Sequence, residues 1–160
     1  MRTSLSGRPA AAHPGTPGSD PRSAVGAVPG LGETGGVAPR RCPCGTGLTY
    51  AECCGRLHEG TASAATAEQL MRSRYSAFVV GHPAYLLGTW HPRTRPASLD
   101  LDPAVRWTGL EVLSTTGGSM LAVEGTVEFR ASYRGGAQHE DSRFVREDGR
   151  WYYLDGVSRS

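Results

Sequence analysis

Residues 66–81 read TAEQLMRSRYSAFVVG, and their periodicity governs the architecture of the domain they open. Thr66 is a good N-cap, and Gln69 three residues on completes a capping box. At 100° per residue, Leu70, Met71, Tyr75, Ala77 and Phe78 form one apolar arc. Gly81 and Pro83 end the helix. Arg74 falls inside that arc, with Arg72 at its margin. A guanidinium aimed at a core needs an anionic or carbonyl partner, because burying it unpaired is very costly. Arg74 therefore predicts a buried carboxylate elsewhere in the domain.

Downstream, HPAYLLGTWHP (residues 82–92) reads as a second, short helix with Pro83 in its first turn, closed before Pro92. After a Pro/Arg loop the pattern changes to strands. VRWTGLEVLS (105–114), SMLAVEGTVEFRASY (119–133), EDSRFVRED (140–148) and RWYYLDGV (150–157) alternate or are rich in β-formers. TTGG, RGG and DGR separate them as turns. In the longest strand Leu121, Val123, Val127, Phe129 and Ala131 share one face. Successive strands with short turns make an antiparallel meander against which the helices pack, an α+β fold.

Upstream, CPCGTGLTYAECCG (42–55) holds all four cysteines, Cys42, Cys44, Cys53 and Cys54. Zinc prefers four soft ligands in a tetrahedron, and two short ligand pairs separated by a loop supply them. Two disulfides fit poorly: adjacent Cys53 and Cys54 would close a strained ring, and one residue between Cys42 and Cys44 is little better. No Cys-x-x-Cys redox spacing is present. The expectation is a structural zinc ion held by all four thiolates, with iron or a redox role as the alternatives. Pro43, Gly45 and Gly47 tighten the turns, Tyr50 covers the site, and Arg40, Arg41, Arg56 and His58 offset its charge. All seventeen basic residues are Arg, and the formal net charge is +2. With zinc on four thiolates that charge falls to about zero, which weakens an argument for nucleic acid from charge alone.

CPCGTGLTYAECCG resembles the SEC-C motif, whose four thiols bind zinc. Where that motif commonly carries two lysines before the tyrosine, this chain has Leu48 and Thr49. LMRSRYSAFVVGHPAYLLGTWHP and SRFVREDGRWYYLDG, following that motif, resemble the YchJ-like family of uncharacterised bacterial proteins. The resemblance implies an NTF2-like cone, helices packed on a curved antiparallel sheet, preceded by a small zinc module. It implies zinc and a fold but no reaction. The organisation expected is a Gly/Pro/Ala-rich disordered tail over 1–39, a SEC-C-like zinc module over 40–60 and an NTF2-like domain over 65–157. The tail has no apolar run of signal-peptide kind, and no stretch of the chain is long and apolar enough to span a bilayer. Clustered thiols then point to the reducing cytoplasm.

A cone of this kind often holds a pocket, and its polar and aromatic candidates are Arg74, Trp90, His91, Arg143, Trp151, Tyr153 and Asp155. Alternation places Trp151, Tyr153 and Asp155 on one face of the last strand. If that face looks inward, Asp155 is the partner of Arg74; otherwise Glu124 or Glu128 must serve. The plain reading is a buried ion pair fixing helix to sheet. The functional one is a pocket in which Arg74 and Arg143 receive an acidic small ligand. His91 is of the residue type that serves as a general base, but more often such a histidine caps a helix end. No catalytic residue is assigned. The expected function is a zinc-containing adaptor, the small module docking a protein partner and the cone holding a ligand or protein segment. A small hydrolase, isomerase or dehydratase, and a ribosome- or RNA-associated factor using Arg40, Arg41 and Arg56, are the alternatives.

Overall fold

The computed structural model describes residues 38–160. The expectation of disorder for residues 1–39 therefore falls, save for its last two residues, outside the described chain. Among the described residues three helices precede four strands: α1 (Cys54–His58), α2 (Ala67–Val80), α3 (Pro83–Gly88), β1 (Trp107–Gly117), β2 (Glu124–Tyr133), β3 (Gly136–Glu147) and β4 (Arg150–Ser158). The strands form one antiparallel sheet in chain order, a meander. Among the described residues, no helix is long and apolar enough to cross a membrane.

Helix α2 forms as its sequence requires. Thr66 Oγ1 accepts from Gln69 N, and the Gln69 side chain reaches one residue past the cap to accept from Ala65 N. Gly81 closes the helix in the left-handed region, φ 76°, donating to Ala77 O. Its first turn is pinned to the sheet where Ala67 N donates to Gly118 O. The approach there is tight: a Cβ on Gly118 would lie 2.7 Å from that of Ala67.

Leu70, Met71 and Tyr75 pack on Val127, Phe129, Ala131 and Phe144 of the sheet, with Trp90, Trp151 and Tyr153 completing the core. Two expected strand features differ. The second strand starts at Glu124, because residues 118–123 form the turn: Gly118 N donates to Glu124 O and Ala122 N to Ser119 O. Leu121 and Val123 are consequently exposed rather than continuing the inner face. The TTGG stretch, expected as the turn, is mostly strand, because β1 runs on to Gly117. The DGR turn holds: Asp148 and Gly149 both have positive φ, as a two-residue hairpin needs.

A second layer covers the other side of α2. Gln69, Arg72, Ser73 and Ser76 lie at i, i+3, i+4 and i+7, one stripe of the helix. Ser73 and Ser76 are fully buried. Arg72 Nη1 donates to Cys44 O (2.7 Å), and His58 Nε2 lies 2.8 Å from Ser73 O. The cysteine segment is thus seated on α2, not held apart from the cone as a free-standing knob. The helix is polar on this side because its partner is loop backbone and sulfur.

Candidate metal centre

The loop 42–54 is shaped by backbone contacts. Arg41 pairs with Thr49, Cys42 N donates to Leu48 O, and Tyr50 N donates to Arg40 O. Gly55 N donates to Tyr50 O at 2.7 Å, and a Cβ on Gly55 would come within 2.6 Å of that oxygen. Glycine is needed there because the chain doubles back on itself.

This loop brings the four Sγ atoms within 4.8 Å of one another. Cys44 and Cys53 sulfurs are 3.5 Å apart, and those of Cys53 and Cys54 3.9 Å. These are not disulfide distances, and all four cysteines are free. A tetrahedral ion with metal–sulfur bonds of about 2.3 Å spaces its sulfurs about 3.8 Å apart, so the donor set fits such an ion. Charge argues the same way. The Cys54 contact pulls the Cys44 thiol well down, to about 4, against burial. That same contact, then burial, pushes Cys54 up, and burial raises Cys53. Sulfurs this close share protons unequally until a cation neutralises them.

Groups beyond the quartet hold it in place. Ser76 Oγ lies 3.6 Å from Cys42 Sγ, both buried. Tyr50 packs on the cysteines, and its hydroxyl donates to His58 Nδ1 (2.6 Å), leaving Nε2–H to donate to Ser73 O. Burial lowers the His58 pKa, partly opposed by that bond to Ser73. Ser73 Oγ donates to Leu70 O and accepts from Tyr85. Of the arginines expected to offset the charge, Arg41 is tied to Gly47 O (2.7 Å), while Arg40 and Arg56 are exposed.

Within the cone, Arg74 is buried but its partner is not Asp155. Arg74 Nη1 donates to Leu86 O (2.7 Å) and Thr89 Oγ1 (2.8 Å). Its guanidinium carbon stands 5.3 Å from the Trp90 ring centroid and 4.5 Å from that of Tyr153. Burial brings its pKa down to about 10, with Tyr153, Tyr85 and Glu140 pulling the other way. The buried carboxylate of the domain is Glu140, none of the three expected for Arg74; its charge acts on the guanidinium, and it is held by Gln138 Nε2 and Ser142 Oγ (each 2.8 Å) and at longer range by the Tyr153 hydroxyl. Glu140 occupies the room left by Gly156, whose Cβ would sit 2.1 Å from Oε1.

Asp155 is displaced by a bulge. Phe144 pairs with Tyr153 but Arg143 pairs with Asp155, so Leu154 is an extra residue and alternation reverses beyond it. Asp155 and Arg143 then pair with each other on the outer face of the sheet, Arg143 Nε donating to Oδ1 at 2.6 Å. Neither joins Arg74. Glu124 and Glu128 also face outward, Glu128 to His139 and Ser114. His91 follows α3 rather than capping it. Its Nδ1 accepts from Arg93 N and its Nε2 lies 2.8 Å from Glu147, so both ring nitrogens are engaged. Trp90 and Trp151 are core residues, and Trp151 Nε1 donates to Ala65 O. The cavity against Arg74, Glu140 and Tyr153 measures about 10 Å³, room for about one water.

Ser73, Ser76, Arg72, Thr89 and Glu140 escape a reading of the sequence by type alone. The i, i+3, i+4, i+7 spacing of Gln69, Arg72, Ser73 and Ser76 is the signal that points to three of them.

Comparison with known proteins matches the fold and the motif separately. Residues 66–156 match the model described as YchJ, middle NTF2-like domain, and residues 41–56 match the SEC-C motif. A UPF0225 protein of Streptomyces coelicolor is 67% identical over 115 residues, covering 72% of this chain and 93% of that protein. A UPF0225 protein of Corynebacterium glutamicum is 53% identical over 120 residues, 73% of this chain and 96% of the relative. The solution structure of a SEC-C motif containing protein from Rhodopseudomonas palustris is similar with a TM-score of 0.65 at 38% identity, covering 74% of this chain and 98% of that one. A crystal structure of a SEC-C motif containing protein from Psychrobacter arcticus gives 0.61 at 33% identity, covering 74% and 82%. The chain belongs to the uncharacterised bacterial YchJ-like, UPF0225 family, a SEC-C motif followed by an NTF2-like domain.

Proposed function

We propose that this chain is a binding or adaptor protein whose cysteine quartet holds a structural zinc ion and whose partner surface lies outside the cone. The observation that carries the reading is the filled interior: about 10 Å³ beside Arg74, against the several hundred that a small-molecule site occupies. A hydrolase, isomerase or dehydratase would need that chamber. With four protein ligands, zinc would cross-link the two ends of the loop, contribute folding energy and leave no position for a substrate.

The surface that suits a partner is a cleft of about 350 Å³ between the cysteine loop and the start of α2. Leu48, 52% exposed, and Leu57 give it apolar footing, with Glu52, Arg56, Glu68 and Arg72 around them. Acidic groups among the arginines favour a protein segment with an apolar side chain over a polyanion such as RNA. Elemental analysis of protein purified under reducing conditions should give one zinc per chain. Affinity capture from the native cell should recover protein partners that Leu48→Arg loses without a change in melting temperature. Partners that ignore Leu48→Arg would sink the cleft assignment. Capture of RNA, abolished by charge reversal at Arg40 and Arg56, would turn the reading to the RNA-associated alternative.

A further inference from the structure

Two buried serines one turn apart on α2 use their hydroxyls differently. Ser73 Oγ donates back to Leu70 O, the usual bond of a serine inside a helix. Ser76 Oγ instead points across to the cysteine loop, 3.6 Å from Cys42 Sγ and also within reach of Cys54. Neither atom has water at hand, because Ser76 is 0% and Cys42 6% exposed. A thiolate that ligates a metal has no proton to give, so in the loaded centre the hydroxyl must be the donor. One turn earlier, Arg72 Nη1 fixes the Cys44 carbonyl at 2.7 Å. Supports of the quartet thus come from the cone as well as from the loop that carries the sulfurs, where Thr46 Oγ1 lies 3.2 Å from Cys53 Sγ and 3.5 Å from Cys44 Sγ.

We propose that Ser76 is a positioning residue of the metal centre, donating a hydrogen bond to the Cys42 thiolate, so that metal affinity is set in part from helix α2 of the cone. The inference rests on the assignment of zinc to the quartet. By reciprocity, a bound ion stabilises the cone through the same bond. A hydrogen bond to a thiolate sulfur drains charge from it, orients it and lowers its energy. Losing such a bond weakens the site and moves the sulfur-to-metal charge-transfer absorption to longer wavelength.

The test uses the full chain, wild type, Ser76→Ala and Ser73→Ala, with zinc affinity read by chelator competition and the cobalt-substituted protein read by its thiolate charge-transfer band. Ser76→Ala should bind zinc about tenfold more weakly, within the range for lost outer-sphere partners, and shift the band to longer wavelength. Ser73→Ala loses a buried hydrogen bond too, but should leave affinity and band as in wild type. If Ser76→Ala fails to fold, Ser76→Thr and Ser76→Val carry the same comparison, being alike in bulk and unlike only in the hydroxyl. Thr should then keep the wild-type band and Val should shift it. Equal affinity and an unmoved band in Ser76→Ala, or equal losses in both serine variants, overturn the proposal while leaving the zinc reading intact. A wild-type chain that takes up neither zinc nor cobalt sinks the zinc reading itself, and the proposal with it.

Discussion

Helix α2 is buried on two sides by opposite means. Toward the sheet it presents Leu70, Met71 and Tyr75, and the contact is apolar area packed around one guanidinium. Toward the cysteine loop it presents Arg72, Ser73 and Ser76, and the contact is hydrogen bonds to carbonyls and to sulfur. The sheet side can hold itself together by hydrophobic burial. The loop side has four cysteines and Tyr50 for a core, so on the proposed reading its order comes from a bound ion together with bonds lent by the helix. The contrast teaches that α2 is shared property: damage on either side should be felt on the other.

The largest effect that could break this comparison is metal removal. A chelator, or Cys44→Ser, should destabilise the whole described chain by more than about 2 kcal/mol, since metal loss belongs with the severe mechanisms of destabilisation. Thermal unfolding followed by circular dichroism should remain one transition at lower temperature. A cone that melts unchanged, after the loop has already lost order, would return the molecule to two independent pieces.

On the sheet side, Arg74→Ala should cost about 3 kcal/mol, because it orphans the Leu86 carbonyl and unloads the Trp90 and Tyr153 rings. Arg74→Met, which restores the bulk without the charge, should recover much of that in chemical denaturation. If Met is as damaging as Ala, hydrogen bonding rather than packing governs this side as well, and the contrast blurs.

A smaller effect concerns acid. Burial holds the His58 pKa below its ordinary value of 6.5, so the fold favours the neutral ring. That preference contributes stability fully present above the unfolded value and lost as pH falls through the lower folded value. The melting temperature should therefore decline below about pH 6, and His58→Gln should flatten that decline. An unaltered pH profile in the variant would detach His58 from the seam between loop and helix. Least of all should Asp155→Asn matter. Its ion pair with Arg143 is exposed on the outer face, and differential scanning calorimetry should find no shift beyond error.

Much of the fold was legible in the sequence because periodicity and turn chemistry are local. The cap at Thr66, the left-handed Gly81, the DGR hairpin and the sulfur quartet are all set by neighbours along the chain. Arg74 could be placed in the core from its position in an apolar arc, though not its companions. Alternation carried Tyr153 inward correctly and then misdirected Asp155, since one added residue at Leu154 reverses every later side chain and leaves no mark in the pattern. Ser73 and Ser76 look like a solvated face because burial there depends on a loop that precedes the helix in sequence. Glu140 reads as an ordinary strand carboxylate; alternation with Phe144 and pairing with Phe129 of β2 turn it inward, and the pairing of β3 with β4 gives it room.

Gly156 carries a consequence of that pairing. The volume where a side chain would begin is taken up by a carboxylate from the neighbouring strand, so the two positions interlock like a peg and its socket. Any larger residue at 156 would evict Glu140 and strip Gln138 and Ser142 of their shared acceptor in one stroke. The size of one residue and the charge of another are therefore a single trait, and a protein designer could alter either only by rewriting both.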